Sequence, residues 1–273
     1  MNFSVLMSLY IKEKPEYVIE CFESLLNQTV KSNEWVIVED GPLTKEMYEL
    51  LDDYQCKYPG LIKRIPLSQN KGLGLALREG VLNCSNDLIA RMDTDDIARK
   101  DRFEIQLKEF EKNPFLDICG SHIQEFEGTI DNIISKRNVP LTQDEIYHYQ
   151  KKRSAFNHMT VMFKKQSVIN AGNYEHCPLM EDDMLWCKMF LKKCVAMNID
   201  DYLVYARVGK DMYNRRGGLA YFKKYKNAKK QIYSLRYSSY WNYIYTVSIQ
   251  FLVCVVPTNL RKFLFINLLR KEK

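Results

Sequence analysis

Three closely spaced carboxylates, Asp93, Asp95 and Asp96, follow a mostly apolar run at Leu88–Met92. The run is suited to a buried strand, so the acids lie where a strand ends. Carboxylates this close repel one another and ionise together only beside a cation or in open water. A hard divalent ion held by one or two of them, with substrate phosphates completing its shell, is the usual arrangement for Mg²⁺ or Mn²⁺. The pattern indicates either a metal site that holds a diphosphate or a solvated acidic turn before a helix near Arg102.

A second acidic group, Glu181, Asp182 and Asp183, opens an apolar helix that runs to Cys194. Acids in the first turn of a helix are stabilised by the helix dipole. Only one or two are needed for that effect, so three of them beside Trp186 indicate an additional function.

Two further segments carry candidate ligand-binding residues: an acidic segment after a predicted strand and a glycine-rich segment at the start of a predicted helix. Trp35–Val38 reads as a buried strand, and Asp40 lies just beyond its end. Residues 70–80 place Gly72 and Gly74 at the mouth of a helix, where the backbone approaches a ligand closely and the helix N-terminus favours an anion such as phosphate. Glycine also begins ordinary loops, and the spacing matches neither a Walker loop nor a dinucleotide-binding fingerprint.

Strand and helix patterns alternate through the first 100 residues and predict an α/β fold with a mostly parallel central sheet and flanking helices. Ligands of such sheets bind at the carboxyl ends of the strands, where the acids lie. The predicted strands are 3–10, 35–38, 61–67, 87–92, 116–126, 130–137, one within 156–163, and 195–208 with a bend at 200–201. The predicted helices are 15–28, 44–57, one opened by residues 70–80, 102–112, 142–150 and 181–194.

The charge of the 273-residue chain is unevenly distributed. Residues 1–206 carry 25 Lys and Arg against 32 Asp and Glu, whereas residues 207–273 carry 15 against 2. We therefore predict an acidic body at 1–208, divided at about residue 98, and a basic helical tail at 209–273 whose partner is anionic.

The tail predicts contact with a membrane surface. Residues 220–236 form a Lys- and Tyr-rich helix, 241–256 an apolar segment too interrupted by polar residues to span a bilayer, and 260–271 a basic amphipathic helix suited to anionic headgroups. Its aromatic content favours lipid over nucleic acid. The alternative is a helical hairpin packed on the body.

The eight cysteines form no C-x-x-C pair and lie largely in apolar stretches, which favours buried reduced thiols over disulfides or zinc. The first residues show no basic region and no cleavage site of a signal peptide. We therefore expect a cytoplasmic protein held peripherally, through its tail, on the inner face of the cell membrane.

The order of these segments resembles the family 2 glycosyltransferases, which have the GT-A fold, over about residues 3–208. The similarity is to the bacterial enzymes that build capsular, exopolysaccharide or lipopolysaccharide O-chain repeats. Each matching segment is short, and their shared order carries the resemblance. The segments are Val5–Tyr10, Val36–Gly41, Asn70–Gly74, Ala90–Ile97, Phe156–Phe163 and Glu181–Trp186.

The resemblance implies inverting transfer of a sugar from a nucleotide-diphosphate donor, a UDP-sugar, to a saccharide or lipid-linked saccharide, with Mn²⁺ or Mg²⁺ as cofactor. Asp93 and Asp95 match the family's Asp-x-Asp motif, whose second acid binds the metal, and Asp96 adjoins it in a supporting role. Lys71 and Arg78 are equally explained as solvated cations. The implied donor-binding residues are Ser8, Tyr10, Asp40, Asn70, Lys71, Gly72, Arg78, Asp93 and Asp95.

The acidic pair near a tryptophan matches the motif that holds the family's catalytic base. Three acids, Glu181, Asp182 and Asp183, compete for this role. Asp182 is favoured and Glu181 is next, because alignment by Trp186 and alignment by the pair differ by one residue. An acceptor hydroxyl attacks the anomeric carbon in line, so a carboxylate must take its proton within hydrogen-bond reach. His158 is either a contact to acceptor or diphosphate or a structural residue.

Three other classes of protein compete with this interpretation. A phosphoacceptor signalling domain needs its aspartate at a later strand end with a lysine beyond it. A dehalogenase-type phosphatase normally carries Asp-x-Asp on an early strand, whereas this strand is the fourth. A non-catalytic nucleotide-sugar-binding protein of the same fold is the main alternative, but such a binder needs no base at Glu181 or Asp182.

Overall fold

The computed structural model describes residues 1–209 and 217–256. Its first half alternates strands and helices as the sequence predicts. The strands β1 to β4 are parallel to one another and lie side by side in the order β3-β2-β1-β4. In chain order the elements are β1 (Phe3–Leu9), α1 (Pro15–Leu26), β2 (Glu34–Glu39), α2 (Lys45–Lys57), β3 (Ile62–Pro66), α3 (Leu73–Asn83) and β4 (Leu88–Arg91).

Alternation along β1 explains why helices cover both faces of the sheet. Val5 and Met7 are buried on one face, against α1 and α2, whereas Leu6 is buried on the other, against α3. Two local signals set the helix starts: Pro15 begins α1, and the Thr44 side chain caps α2 by accepting a hydrogen bond from the Met47 amide at 3.2 Å.

The second half extends the same sheet from β4 through β8, β6 and β9 to β5, with β7 paired to β6. Strand β8 is antiparallel to both of its neighbours, and β9 is parallel to β6. The elements are β5 (Ile97–Ala98), α4 (Arg102–Lys112), β6 (Leu116–Phe126), β7 (Ile133–Arg137), α5 (Gln143–Gln150), a 3₁₀ turn (His158–Thr160), β8 (Met162–Lys164), α6 (Lys165–Asn170), α7 (Glu181–Leu191) and β9 (Val195–Arg207).

Most predicted boundaries agree with the structure, and the differences are local. The pairing of β9 with β6 jumps from Ile199 to Tyr202, so Asp200 and Asp201 form the predicted bend as a bulge. The strand predicted within 156–163 is shorter because a 3₁₀ turn precedes it. Strand β5 and helix α6 have two and six residues, too few for a recognisable hydrophobic period.

All eight cysteines are free thiols, and all but Cys56 are buried, as the sequence predicts.

The chain ends, as far as it is described, in a helical hairpin formed by α8 (Gly218–Ser234) and α9 (Tyr240–Val255). Ala228 and Ile232 of α8 pack into a cluster with Met180 and Met184 beside α7, and the Tyr237 hydroxyl donates to the Tyr147 carbonyl at 2.7 Å. The structure therefore contains a helical hairpin packed on the body, which was the alternative to membrane contact in the interpretation of the tail. The predicted basic helix at 260–271 lies outside the described residues.

Within 1–209 and 217–256, no helix combines the length and the apolar character needed to cross a bilayer.

Candidate active site

The three aspartates that follow β4 form a compact cluster. Each of Asp93, Asp95 and Asp96 can present a carboxylate oxygen within 4.8 Å of the others. Asp96 is buried, whereas Asp93 and Asp95 are half-buried. Three acids at this separation, partly removed from water, form an oxygen-ligand set that suits a hard divalent cation.

The three acids differ in their partners. The buried Arg91 guanidinium forms an ion pair with Asp93. Burial, and then the charge of Asp93, raises the pKa of Asp95 to about 6. Burial together with Asp95 and Asp93 raises the pKa of Asp96 well above its usual range. Ionisation of the cluster is therefore costly without a cation, and Asp95 is a more available ligand than Asp93.

A fourth acid, Glu13, lies near the cluster. Burial, followed by repulsion from Asp95 and Asp93, raises its pKa to about 7. Glu13 comes from the loop after β1, at the carboxyl edge of the sheet. Sequence reasoning missed Glu13, although its position just after the first strand was a signal that could have identified it.

Arg207, at the end of β9, fastens the acidic loop. Its backbone amide donates to Asp96 Oδ1 at 2.7 Å, and its Nε donates to the Asp95 carbonyl at 3.0 Å. Its guanidinium carbon lies 4.1 Å from the centre of the Tyr17 ring and 4.5 Å from that of Phe126. The last strand of the body therefore holds the acidic loop in place, a role that sequence reasoning missed.

Asp40, predicted to contact the donor base, ties β2 to the start of α3. Its carboxylate accepts hydrogen bonds from the amides of Lys71 at 2.6 Å and Gly72 at 3.0 Å, and Asn70 Nδ2 donates to its carbonyl at 3.1 Å. Gly41 is required beside it, because its φ is +86° and a Cβ would lie 2.6 Å from the Asn70 nitrogen. The backbone amides at the start of α3, where the sequence predicts an anion such as phosphate, are therefore hydrogen-bonded to the Asp40 carboxylate.

The other predicted donor-binding residues are placed as follows. Ser8 and Tyr10 are half-buried, Ser8 near the end of β1 and Tyr10 just past it. Arg78 Nη1 donates to the carbonyls of Gly172 and Tyr174, both at 3.1 Å, and so fixes the loop ahead of α7. The structure gives Arg78 this structural contact, and its contact with phosphate stays a prediction.

The acidic turn of α7 lies against the start of α3. A Cβ on Gly74 would come within 2.9 Å of the Glu181 Cβ. Burial raises the pKa of Glu181. Burial, then Asp183 and Glu181, raises the pKa of Asp182 to about 8. Such groups hold protons at higher pH than solvated carboxylates, which suits exchange of a proton with a substrate.

Asp183 is already engaged by other side chains. Its Oδ1 accepts from Gln150 Nε2 at 2.8 Å, and its Oδ2 lies 3.7 Å from Lys229 Nζ of α8. Both charged residues are buried. Of the three acids, Asp183 therefore joins the hairpin to α7, and Glu181 and Asp182 are left as the candidate bases.

His158 has a structural environment. Its Nε2 lies 2.8 Å from the Tyr174 hydroxyl, and its ring centre lies 5.9 Å from that of the buried Trp186. Burial, with the nearby charge of Arg91, lowers its pKa well below the usual range. A neutral, enclosed imidazole favours the structural interpretation.

The described residues line a cavity of about 700 Å³ between the body and the hairpin. The aspartate cluster and Asp183 lie on its wall, together with Arg137 from β7. Tyr225 and Lys229 of α8 also line it. The cluster and Asp183, in the first turn of α7, therefore line one cleft large enough for a substrate.

Comparison with known proteins agrees with this geometry. The model of "Glycosyl transferase family 2" matches residues 4–177. The chain is 36% identical to the UDP-Gal:alpha-D-GlcNAc-diphosphoundecaprenol beta-1,3-galactosyltransferase of Escherichia coli, over 99% of this chain and 97% of that protein. It is 38% identical to the amylovoran biosynthesis glycosyltransferase AmsE of Erwinia amylovora, over 86% of this chain and 85% of that protein.

A solved structure shows the same fold at low sequence identity. The mannosyltransferase PcManGT of Pyrobaculum calidifontis, in complex with GDP-Man and Mn²⁺, superposes with a TM-score of 0.64 at 12% identity, over 95% of this chain and 77% of that one. The expected GT-A fold is confirmed. This chain belongs to glycosyl transferase family 2 and is a glycosyltransferase.

Proposed function

We propose that the protein transfers a sugar, with inversion at the anomeric carbon, from a UDP-sugar to a saccharide or lipid-linked saccharide of a bacterial surface polysaccharide. One observation carries the proposal: the aspartate cluster lines the same cleft as Asp183, which adjoins the candidate bases Glu181 and Asp182 in the first turn of α7. The similarity to a galactosyltransferase that acts on a diphosphoundecaprenol-linked sugar supports the donor and acceptor classes.

The aspartate cluster fits Mn²⁺ or Mg²⁺, because its oxygen donors are hard ligands within bonding reach of one ion. Asp95 is the main ligand, and Asp93 shares its charge between the ion and Arg91. A bound ion would stabilise the charge that develops on the departing diphosphate. Arg207 keeps the loop in place for that task.

The remaining donor contacts are carried by the ends of β1 and β2 and the start of α3. Ser8, Tyr10 and Asp40 bind the base and ribose. The bonds from Lys71 and Gly72 to Asp40 fix this carboxylate, so it is positioned before the nucleotide arrives. Residues 1–98 supply these donor contacts, and residues 99–208 supply the acceptor side.

Asp182 acts as the base that takes the proton of the attacking hydroxyl. Asp183 is not the base in this proposal, because its carboxylate already accepts a hydrogen bond from Gln150 and pairs with Lys229. Glu181 is the second candidate, because it packs against Gly74 at the start of α3, where the donor is proposed to bind.

The tail, residues 209–273, holds the protein on the inner face of the cell membrane. In its described part, large apolar side chains are exposed along α9, including Trp241 at 77% and Leu252 at 61%. Lys223, Lys224 and Lys226 of α8 are also exposed. Exposed apolar and cationic side chains together suit an anionic lipid surface.

One experiment tests the transferase proposal. Purified protein is incubated with Mn²⁺ and a panel of UDP- and GDP-sugars, and donor hydrolysis and thermal shift are recorded. We expect a UDP-sugar to stabilise the protein and to be hydrolysed slowly. Asp182→Asn should lower kcat while leaving UDP binding intact, and an equal loss from Glu181→Gln alone would move the base by one position. A protein that binds no nucleotide sugar would contradict the proposal.

A further inference from the structure

The cleft has a cationic wall that the donor does not explain. The positive side chains of Arg137, Lys152 and Arg153 line it from β7 and the loop after α5, and the imidazole of His148 on α5 also lines the cleft. The aspartate cluster lies at another part of the same wall. In the proposed mechanism the aspartates would hold the metal ion that neutralises the donor diphosphate, so this second group of positive side chains has no donor phosphate to bind.

The cationic wall is held in place by the body and meets the hairpin. Arg137 Nη2 donates to the Ser154 carbonyl at 3.2 Å, which joins β7 to the loop after α5. Lys152 Nζ lies 5.4 Å from the centre of the Tyr245 ring on α9. The cations therefore lie on the body side of a passage whose other side is the hairpin.

The hairpin side of the passage is mainly aromatic and apolar, although Lys229, Thr246 and Gln250 also line it. Tyr221, Tyr225, Tyr245, Ile249 and Val253 line the cleft. Helix α9, which supplies Tyr245, Ile249 and Val253, also carries the exposed residues Trp241 and Leu252. A ligand leaving the cations along α9 thus passes from an enclosed apolar wall to an exposed apolar surface.

We propose that the cationic wall binds the diphosphate of a lipid-linked acceptor, with the lipid chain lying along α9. This inference rests on the proposed function and adds a second diphosphate subsite, distinct from that of the donor. Two negative phosphates match the neighbouring cations Arg137 and Lys152, and charge-assisted hydrogen bonds of this kind are among the strong ones. The apolar side of the cleft then matches the chain attached to the diphosphate.

Binding to the UDP-saturated protein tests the subsite. With UDP and Mn²⁺ in excess to fill the donor site, farnesyl diphosphate, farnesol and inorganic diphosphate are titrated, and binding is followed by calorimetry in detergent. We expect farnesyl diphosphate to bind more tightly than either part alone. Lys152→Glu should weaken it by about tenfold or more, because a charged hydrogen bond is lost and a repulsion is added.

Lys151→Glu is the matched control, since it makes the same charge change at an exposed neighbour that does not line the large cleft. Its effect should stay below about twofold. Equal weakening by the two variants, or equal affinity for farnesol and farnesyl diphosphate, would overturn the subsite. UDP binding by the unmodified protein separates the outcomes: if it binds UDP but not farnesyl diphosphate, this inference alone is rejected, whereas absence of UDP binding rejects the proposed function.

Discussion

The buried pair between Lys229 and Asp183 gives a quantitative prediction about how the hairpin is held. The two charges are 3.7 Å apart, with side chains 9% and 10% exposed. At an effective dielectric constant of about 20, their attraction is about 4.5 kcal/mol. Removing one member of a buried pair typically costs about 3–5 kcal/mol, since the other is left uncompensated. Lys229→Met should therefore destabilise the junction by about 3–4 kcal/mol.

A double-mutant cycle separates this pair from general packing. Lys229→Met, Asp183→Asn and their combination are compared by urea unfolding and by the rate of tryptic cleavage in α8. The double variant should recover about 2 kcal/mol or more relative to the sum of the single variants, because neither charge is then left alone. Lys230→Met, at the exposed neighbouring position, should change stability by less than about 0.5 kcal/mol. Additive effects, or equal effects of Lys229→Met and Lys230→Met, would refute the reasoning.

Three further predictions concern the acids and their packing. Mn²⁺ affinity, measured by calorimetry, should rise as pH increases through about 6, because Asp95 must lose its proton to bind the ion; affinity constant between pH 5 and 7 would contradict this. The kcat of transfer should increase with pH through about 8, where Asp182 ionises, and Asp183→Asn should move this limb to lower pH by removing a neighbouring negative charge; an unmoved limb would exclude Asp182 as the titrating base. Gly74→Ala should lower kcat by displacing Glu181, since the added Cβ would lie 2.9 Å from the Glu181 Cβ and 2.5 Å from the Glu175 carbonyl oxygen. Gly80→Ala, whose added Cβ would lie nearest to the Leu6 and Val38 side chains, should affect stability more than kcat.

The periodic part of the fold follows from the sequence. The alternation of apolar runs and amphipathic helices predicts β1 to β4 and α1 to α4, because each buries a recognisable face. The clustering of Asp93, Asp95 and Asp96 can also be predicted from the sequence, since residues this close along the chain must lie close in space.

The contacts that complete the site depend on chain segments far apart in sequence. Arg207 reaches the acidic loop from 111 positions away, and Lys229 reaches Asp183 from another helix. No local pattern specifies such pairs, because they arise only when β9 and α8 pack. The capture of the Lys71 and Gly72 amides by Asp40 has the same origin: the helix start predicts an anion, but the structure shows that the chain supplies it.

The role of Asp95 in holding the ion is tested most directly by a donor-turnover assay. Asp95→Asn and Asp53→Asn, an exposed aspartate on α2, are assayed for Mn²⁺-dependent hydrolysis of the UDP-sugar found in the panel, with circular dichroism to verify the fold. We predict that Asp95→Asn abolishes metal-dependent turnover in a folded protein and that Asp53→Asn retains it. Full Mn²⁺-dependent turnover by folded Asp95→Asn would contradict the central claim.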